Sequence, residues 1–204
     1  PISHQRVDVQ DIDADFYTFS GHKVYGPTGV GVLYGKQSLL EAMPPWQGGG
    51  EMIDTVSFEH GTTFATFPHK FEAATPAIAE VIALGTALDW TEAVGLDAIG
   101  DWEQQLLMYS TQQLQAIDGL RILGTAEHKA GVLSFVVDGA HAQDIGLLID
   151  QLGVAIRTGH HCAQPLLHHF GVEATCRASF AAYNTRDEID VFVTSLKRVI
   201  DMVR

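Results

Sequence analysis

Two short runs, Asp15–Ser20 (DFYTFS) and Val30–Gly35 (VGVLYG), flank the segment GHKVYGPTG at residues 21–29. Both are rich in aromatic or β-branched residues and are bracketed by glycine and proline, so they read as strands. The fold must therefore turn sharply between two strands while presenting one lysine, Lys23, ahead of a glycine-rich bend. A Walker loop is excluded, and the signal for a dinucleotide loop is weak. A Walker loop needs two glycines five residues apart, then lysine and a hydroxyl residue. Here Gly35-Lys36 is followed by Gln37, and position 30 is valine. The Gly29-Val30-Gly31 spacing meets its third glycine one residue late for a dinucleotide fingerprint, and it lies in a strand rather than at a strand-to-helix turn.

Downstream, Gln37–Met43 reads as a short helix stopped by Pro44-Pro45. The triple glycine at 48–50 opens a stretch expected to be irregular as far as Pro68, and structureless stretches of that length tend to be functional. Thr75-Pro76 announces a helix with apolar Ile78, Val81, Ile82 and Leu84. After a break at Gly95, a second helix is expected over Leu96–Ile117, with Glu103, Gln104 and Gln112 on its exposed face. A strand (Val132–Val137), a helix (Ala142–Leu152), a strand (Val154–Arg157), the loop TGHHCAQP, a helix (Gln164–Phe170) and a strand (Cys176–Ala182) follow. Thr185 and Glu188 are spaced as a capping box for a last helix, whose apolar stripe is Ile189, Phe192, Val193, Leu196, Val199 and Ile200. These patterns give two domains: residues 1–94, part of something larger, and residues 95–204, a small α+β domain.

The chain's 204 residues carry a formal net charge of −13, which disfavours attraction to phosphate backbones and anionic membranes. No apolar run is long enough to span a bilayer, so neither nucleic acid nor membrane is expected as a partner, and the default compartment is the cytoplasm. Two cysteines make no disulfide scaffold in a chain this long. Cys176, inside an expected strand, reads as an inert core thiol. Cys162 follows two histidines and precedes a short helix, a setting in which a thiolate is favoured by imidazolium neighbours and a helix N-terminus. His160, His161, His168 and His169 crowd the same region, so the residues alone leave a zinc or copper site, or a buried small thiol, as alternatives.

Lysine condenses with an aldehyde only while uncharged. Ser20, His22 and the amides of the glycine turn offer phosphate contacts beside it. Strand, S-x-H-K and glycine turn together suit pyridoxal phosphate. SGHKVYGPTG resembles the cofactor-lysine segment of cysteine desulfurases of the NifS/SufS/CsdA type, within the class V aminotransferase family. PPWQGGGEMI, FEAATP, RTGHHCAQPL and CRASFAAYNT follow in that family's order, and RTGHHC resembles its SufS- and CsdA-like branch. The resemblance runs over essentially the whole chain.

It implies an α/β chain of the PLP-dependent transferase fold type I (aspartate aminotransferase-like), with the remnant of the large cofactor domain before the small one. It further implies that Lys23 bonds covalently to pyridoxal 5'-phosphate and moves a proton at the substrate Cα. Ser20 and His22 would hold the cofactor phosphate, and Thr75 would reach the phosphate of the neighbouring subunit in a homodimer. Cys162 would be the nucleophile, converting L-cysteine to L-alanine with a persulfide left on the enzyme. Arg177 would take the substrate carboxylate in a bidentate grip. Arg157 is expected to orient the loop or face the substrate, and Asn184 to serve the start of the last helix. A SufE-like sulfur acceptor, a place in iron-sulfur cluster assembly, and activity on selenocysteine or cysteine sulfinate are further implications. The alternatives are another class V aminotransferase-like enzyme in which Cys162 is incidental, and a non-catalytic metal- or sulfur-carrying module using the His-His-Cys loop.

Family members are about twice as long. The residues expected to stack on the cofactor ring and pair with its nitrogen would precede Pro1, so the isolated chain is expected to be inactive. Ala74 stands where relatives commonly have glycine.

Overall fold

The two runs around the lysine pair as an antiparallel ribbon, β1 (Phe16–Ser20) and β2 (Gly31–Gly35), in register from Phe16 opposite Gly35 to Ser20 opposite Gly31. This is a computed structural model describing residues 2–204. It divides into two units, one running to Asp97 and the other comprising Ala98–Arg204. In the first, Lys36 closes the ribbon, its Nζ lying 2.7 Å from Asp13 and 2.9 Å from Asp15. Those bonds hold Lys36 well above the ordinary lysine range. The helix after the ribbon is α1 (Gln37–Ala42).

The stretch expected to be irregular contains a hairpin, β3 (Ile53–Ser57) and β4 (Gly61–Phe64). Sequence missed it because neither face is buried: every residue of β4 is exposed, so no apolar alternation marks it. Hydroxyls do the pairing instead, with Thr55 Oγ1 2.6 Å from Thr63 Oγ1. Next, α2 (Ile78–Val94) begins two residues after Pro76. Its apolar residues divide unexpectedly, for Leu84 is buried while Ile78 and Ile82 are 57% and 67% exposed.

The second unit carries a four-stranded antiparallel sheet in the order β5-β6-β8-β7. The strands are β5 (Leu120–Leu123), β6 (Val132–Val137), β7 (Arg157–Gly159) and β8 (Thr175–Ser179). The expectation omitted β5, four residues with no turn signal of their own beyond Gly119. It also began β7 too early: the ladder starts only where Arg157 meets Arg177, and Val154–Ile156 leads into it. Helices α3 (Leu96–Gln115), α4 (Ala142–Asp150), α5 (Gln164–His169) and α6 (Arg186–Val203) complete the chain.

All six residues of the expected α6 stripe are buried, packing with Leu133 and Phe135 of β6, Leu106 and Leu114 of α3, and Ile145 and Ile149 of α4. Burying each such side chain is worth about 1.5–3 kcal/mol, which makes this face the main anchor of the unit. The capping box forms, with Glu188 N donating to Thr185 Oγ1 at 3.2 Å and Thr185 N donating to Glu188 Oε2 at 2.8 Å. Asn184 adds its amide to the same carboxylate at 3.3 Å. Glu103 departs from expectation, being 2% exposed. Its spacing from Leu106, Leu107, Ser110 and Leu114 puts it on the inward stripe of α3, where the polar-face reading does not hold.

Candidate functional site

Lys23 ends a single 3-10 turn, Gly21–Lys23, that leaves β1 directly. Backbone bonds fix this turn: Gly21 N donates to Val30 O at 2.9 Å, and the amides of Val24 and Gly26 both donate to Gly21 O at 3.0 Å. Glycine is required at 21, since a Cβ there would lie 2.9 Å from Val30 Cγ1 and 3.1 Å from Pro27 O. Tyr25, at φ 62°, packs its ring edgewise on Trp90 of α2 with centroids 5.2 Å apart. Lys23 and Ser20 are exposed and line one pocket of about 440 Å³ with Ile2, Ser3, His4, Tyr17, Thr18 and Phe19. His22 is exposed but does not line it, and neither does Thr75.

Thr75 stands exposed at the end of a loop pinned at two points. Ala74 N donates to Gly50 O at 2.9 Å, with Ala74 held at φ 64°. Lys70, 9% exposed, donates to the carbonyls of Glu41 and Met43 at 2.8 Å each, tying the loop to the end of α1. Nothing in the sequence distinguished Lys70, because a buried lysine that serves backbone carbonyls has no motif.

In the second unit the structure brings Arg157, Cys162 and Arg177 together. Arg157 and Arg177 are direct cross-strand partners on β7 and β8. Like charges opposite one another destabilise a sheet unless an anion joins them. Among the described residues neither guanidinium has a carboxylate within ion-pair distance. Arg157 Nη2 donates to Cys162 Sγ at 3.9 Å. Arg177 is half-buried and its Nε has no hydrogen-bond partner. Burial first, then the Arg157 charge, lowers Arg177 from its ordinary value. A buried donor left open beside a second cation is suited to the carboxylate of a ligand.

Cys162 is exposed on a tight turn in which Ala163 N donates to His160 O at 2.9 Å. Both central residues are left-handed, His161 at φ 53° and Cys162 at φ 59°. Two residues bearing a Cβ in that region are disfavoured by about 1–2 kcal/mol each. His161 Nε2 lies 2.8 Å from Thr175 Oγ1 and 3.1 Å from Thr175 O. Burial chiefly lowers the His161 pKa, with Arg177, Arg157 and His160 adding repulsion against a proton. The imidazolium expected beside Cys162 is therefore disfavoured at His161, and the cation that touches the sulfur is Arg157. The helix that follows, α5, has only six residues. His160 Nδ1 faces the Gln164 amide at 3.3 Å, and no metal-holding group of three His, Cys, Asp or Glu occurs among the described residues. Cys176 is fully buried, which pushes its thiol up to about 12. Thr175 was not anticipated, since a threonine entering a strand carries no signal of its partner.

A family model described as Aminotransferase class-V matches residues 1–192. A cysteine desulfurase of Serratia proteamaculans is 54% identical over 198 residues, 97% of this chain and 48% of its own. The crystal structure of the Escherichia coli cysteine desulfurase CsdA, in an S-sulfonic acid form, superposes with a TM-score of 0.94 at 44% identity, over 99% of this chain and 50% of CsdA. A mutant of C-DES with glycine covalently linked to its PLP cofactor gives 0.79 at 25% identity, over 96% of this chain and 49% of its own. The chain thus spans about half the length of the curated relatives it matches, and over that half it has the fold type I architecture expected from the sequence.

Proposed function

The chain belongs to the class-V aminotransferase family, and from that premise we propose that the protein containing it is a pyridoxal-phosphate-dependent cysteine desulfurase acting on L-cysteine. The observation that carries this reading is the grouping of Cys162 Sγ with Arg157, itself paired across the sheet with the half-buried Arg177. A carboxylate-bearing substrate is the anion two unpaired guanidiniums favour, and the sulfur beside them is the group such a substrate would meet.

The residues present fit the cofactor in that Lys23 and Ser20, an amine and a hydroxyl, line one pocket. In this reading Lys23 is its attachment point, Ser20 and His22 hold its phosphate, and Thr75 contributes to the phosphate site of the neighbouring subunit in a homodimer. Residues 1–94 belong to the large cofactor domain and residues 95–204 form the small domain. When bound, the cofactor supplies an electron sink for the substrate carbon.

The chain's own residues do the rest. Arg177 grips the substrate carboxylate, and Arg157 places the Cys162 sulfur. The thiolate of Cys162 attacks the substrate sulfur; the S–S bond forms as the C–S bond breaks, and the electron pair stays with the carbon. The carbon that lost sulfur takes up a proton to become the methyl group of alanine, Lys23 moves the proton at the substrate Cα, and a persulfide is left on Cys162. A SufE-like protein then accepts the sulfur. No helix among the described residues is long and apolar enough to cross a membrane.

Borohydride reduction of the full-length protein, followed by peptide mass mapping, tests the cofactor half of the reading. The pyridoxyl group is expected on Lys23, and its recovery on any other residue refutes the assignment. For the sulfur half, Cys162→Ala is expected to abolish alanine release from cysteine. Unchanged release would reduce the reaction to that of another class V enzyme.

A further inference from the structure

The turn that displays Cys162 is held in an unusual hand, and something must hold it there. Its closing bond, Ala163 N to His160 O, occurs equally in turns whose central residues have negative φ, so that bond does not select the hand. Left-handed values at both central positions belong to type I′ turns, which favour asparagine and glycine, whereas here the residues are histidine and cysteine. Such strain persists only where the surroundings over-determine it.

We infer that His161 is the positioning residue of this turn, its ring bonded to Thr175 so that Cys162 Sγ is kept beside Arg157. The inference rests on the reading of Cys162 as the sulfur nucleophile and deepens it. Thr175 is a fixed post: it is 1% exposed and pairs in the β7–β8 ladder opposite Gly159, two residues before His161. Reversing the hand of the turn would swing the His161 Cβ to the other side of the chain and carry the ring away from that post.

The chemistry of the contact fixes the tautomer. A carbonyl oxygen only accepts, so Nε2 carries the proton toward Thr175 O, and the Thr175 hydroxyl oxygen shares it at 2.8 Å. Nδ1 is then bare, buried and without a partner. A second proton there would be trapped away from water, close to the charges of Arg157 and Arg177, and the ring acts as a neutral anchor. His160 does not share the role, since it is exposed and its Nδ1 faces the Gln164 amide.

The test uses the full-length protein with its cofactor bound, comparing His161→Leu with His161→Gln. Glutamine can place an amide N–H near the position of the imidazole Nε2, and leucine cannot. Two quantities are read: the rate constant for alkylation of Cys162 by iodoacetamide, located by peptide mapping, and kcat and KM for alanine release from cysteine. Loss of the bond is expected to lower both the alkylation rate and kcat about tenfold in His161→Leu while KM stays within about twofold, with His161→Gln recovering to within about threefold of the parent. Parental alkylation and turnover in His161→Leu would overturn the inference. So would equal impairment of the two variants, because the ring would then matter for its shape and not for its bond.

Should His161→Leu fail to fold, His161→Ala decides. It removes both contacts to Thr175 without adding bulk, and alkylation slowed about tenfold supports the anchor, whereas an unchanged rate overturns it. Retention of alanine release by Cys162→Ala would sink the functional reading alone, since the alkylation comparison needs no turnover.

Discussion

Ala74 offers a direct measure of strain in the loop that carries Thr75. Its φ of 64° lies where an L-residue is disfavoured, and its amide is committed to Gly50 O at 2.9 Å, so the backbone is held in place whichever residue stands there. Replacing it with glycine should relieve the left-handed penalty of about 1–2 kcal/mol. Against that stands the extra freedom glycine gives the unfolded chain, about 0.4–1 kcal/mol. Ala74 is exposed, so deleting its methyl forfeits little burial. The net expectation for Ala74→Gly is a gain of roughly 0.5–1 kcal/mol, which for a protein about twice the length of this chain raises Tm by about 0.5–2 °C. Thermal melts of the full-length protein, with and without pyridoxal phosphate, read this out. A glycine variant that melts at or below the parental temperature would refute the reasoning, since the loop would then not be strained at Ala74.

Three further outcomes are expected. Thr185→Ala removes the acceptor for Glu188 N and should destabilise by about 1 kcal/mol, seen as a lower urea midpoint at unchanged slope; an unaltered midpoint would mean the capping box contributes nothing. His161 is held below its ordinary value when folded, so the unfolded chain binds the extra proton first as pH falls. Its contribution is complete above about pH 6.5 and is lost as pH drops through the folded value. His161→Gln should flatten that part of the stability-against-pH curve, and an identical curve would contradict it. Finally, with its thiol pushed up to about 12, Cys176 should resist iodoacetamide at pH 8 in the folded protein while Cys162 reacts, and both should react in denaturant. Labelling of Cys176 without unfolding would show that the strand does not seal it.

The second unit was the more legible half because its elements bury one face each. The α6 stripe has the 3.6-residue period, β6 alternates inward and outward, and the cap residues stand where a helix must begin. Periodicity reports burial, so elements that bury nothing among the described residues leave no trace of this kind. The β3–β4 hairpin was lost for that reason, and β5 because four residues are too few to establish a period. Glu103 was misplaced by its chemistry: a charged residue was assigned to the polar face, although its spacing from Leu106, Leu107 and Leu114 put it on the inward one. The outward Ile78, Val81 and Ile82 are the reverse case, an apolar pattern correctly recognised on a helix whose face is uncovered in this chain.

The chemistry-bearing residues could be named from motif order, but not the contacts that give them their setting. Arg157 and Cys162 are five residues apart, and nothing in that spacing says that a guanidinium reaches the sulfur; it does so because the turn between them reverses with left-handed residues. Arg177 faces Arg157 through strand register, a long-range quantity that a single sequence does not encode in any short pattern. Sequence assigned the favourable charge beside the thiol to histidine, the nearer and more conspicuous neighbour. Burial reverses that assignment, because the contact that anchors His161 to Thr175 also takes its ring away from water and with it the ease of carrying a charge. Anchor and cation are thus divided between two side chains, and only a structure in which both β7 and β8 are placed reveals which does which.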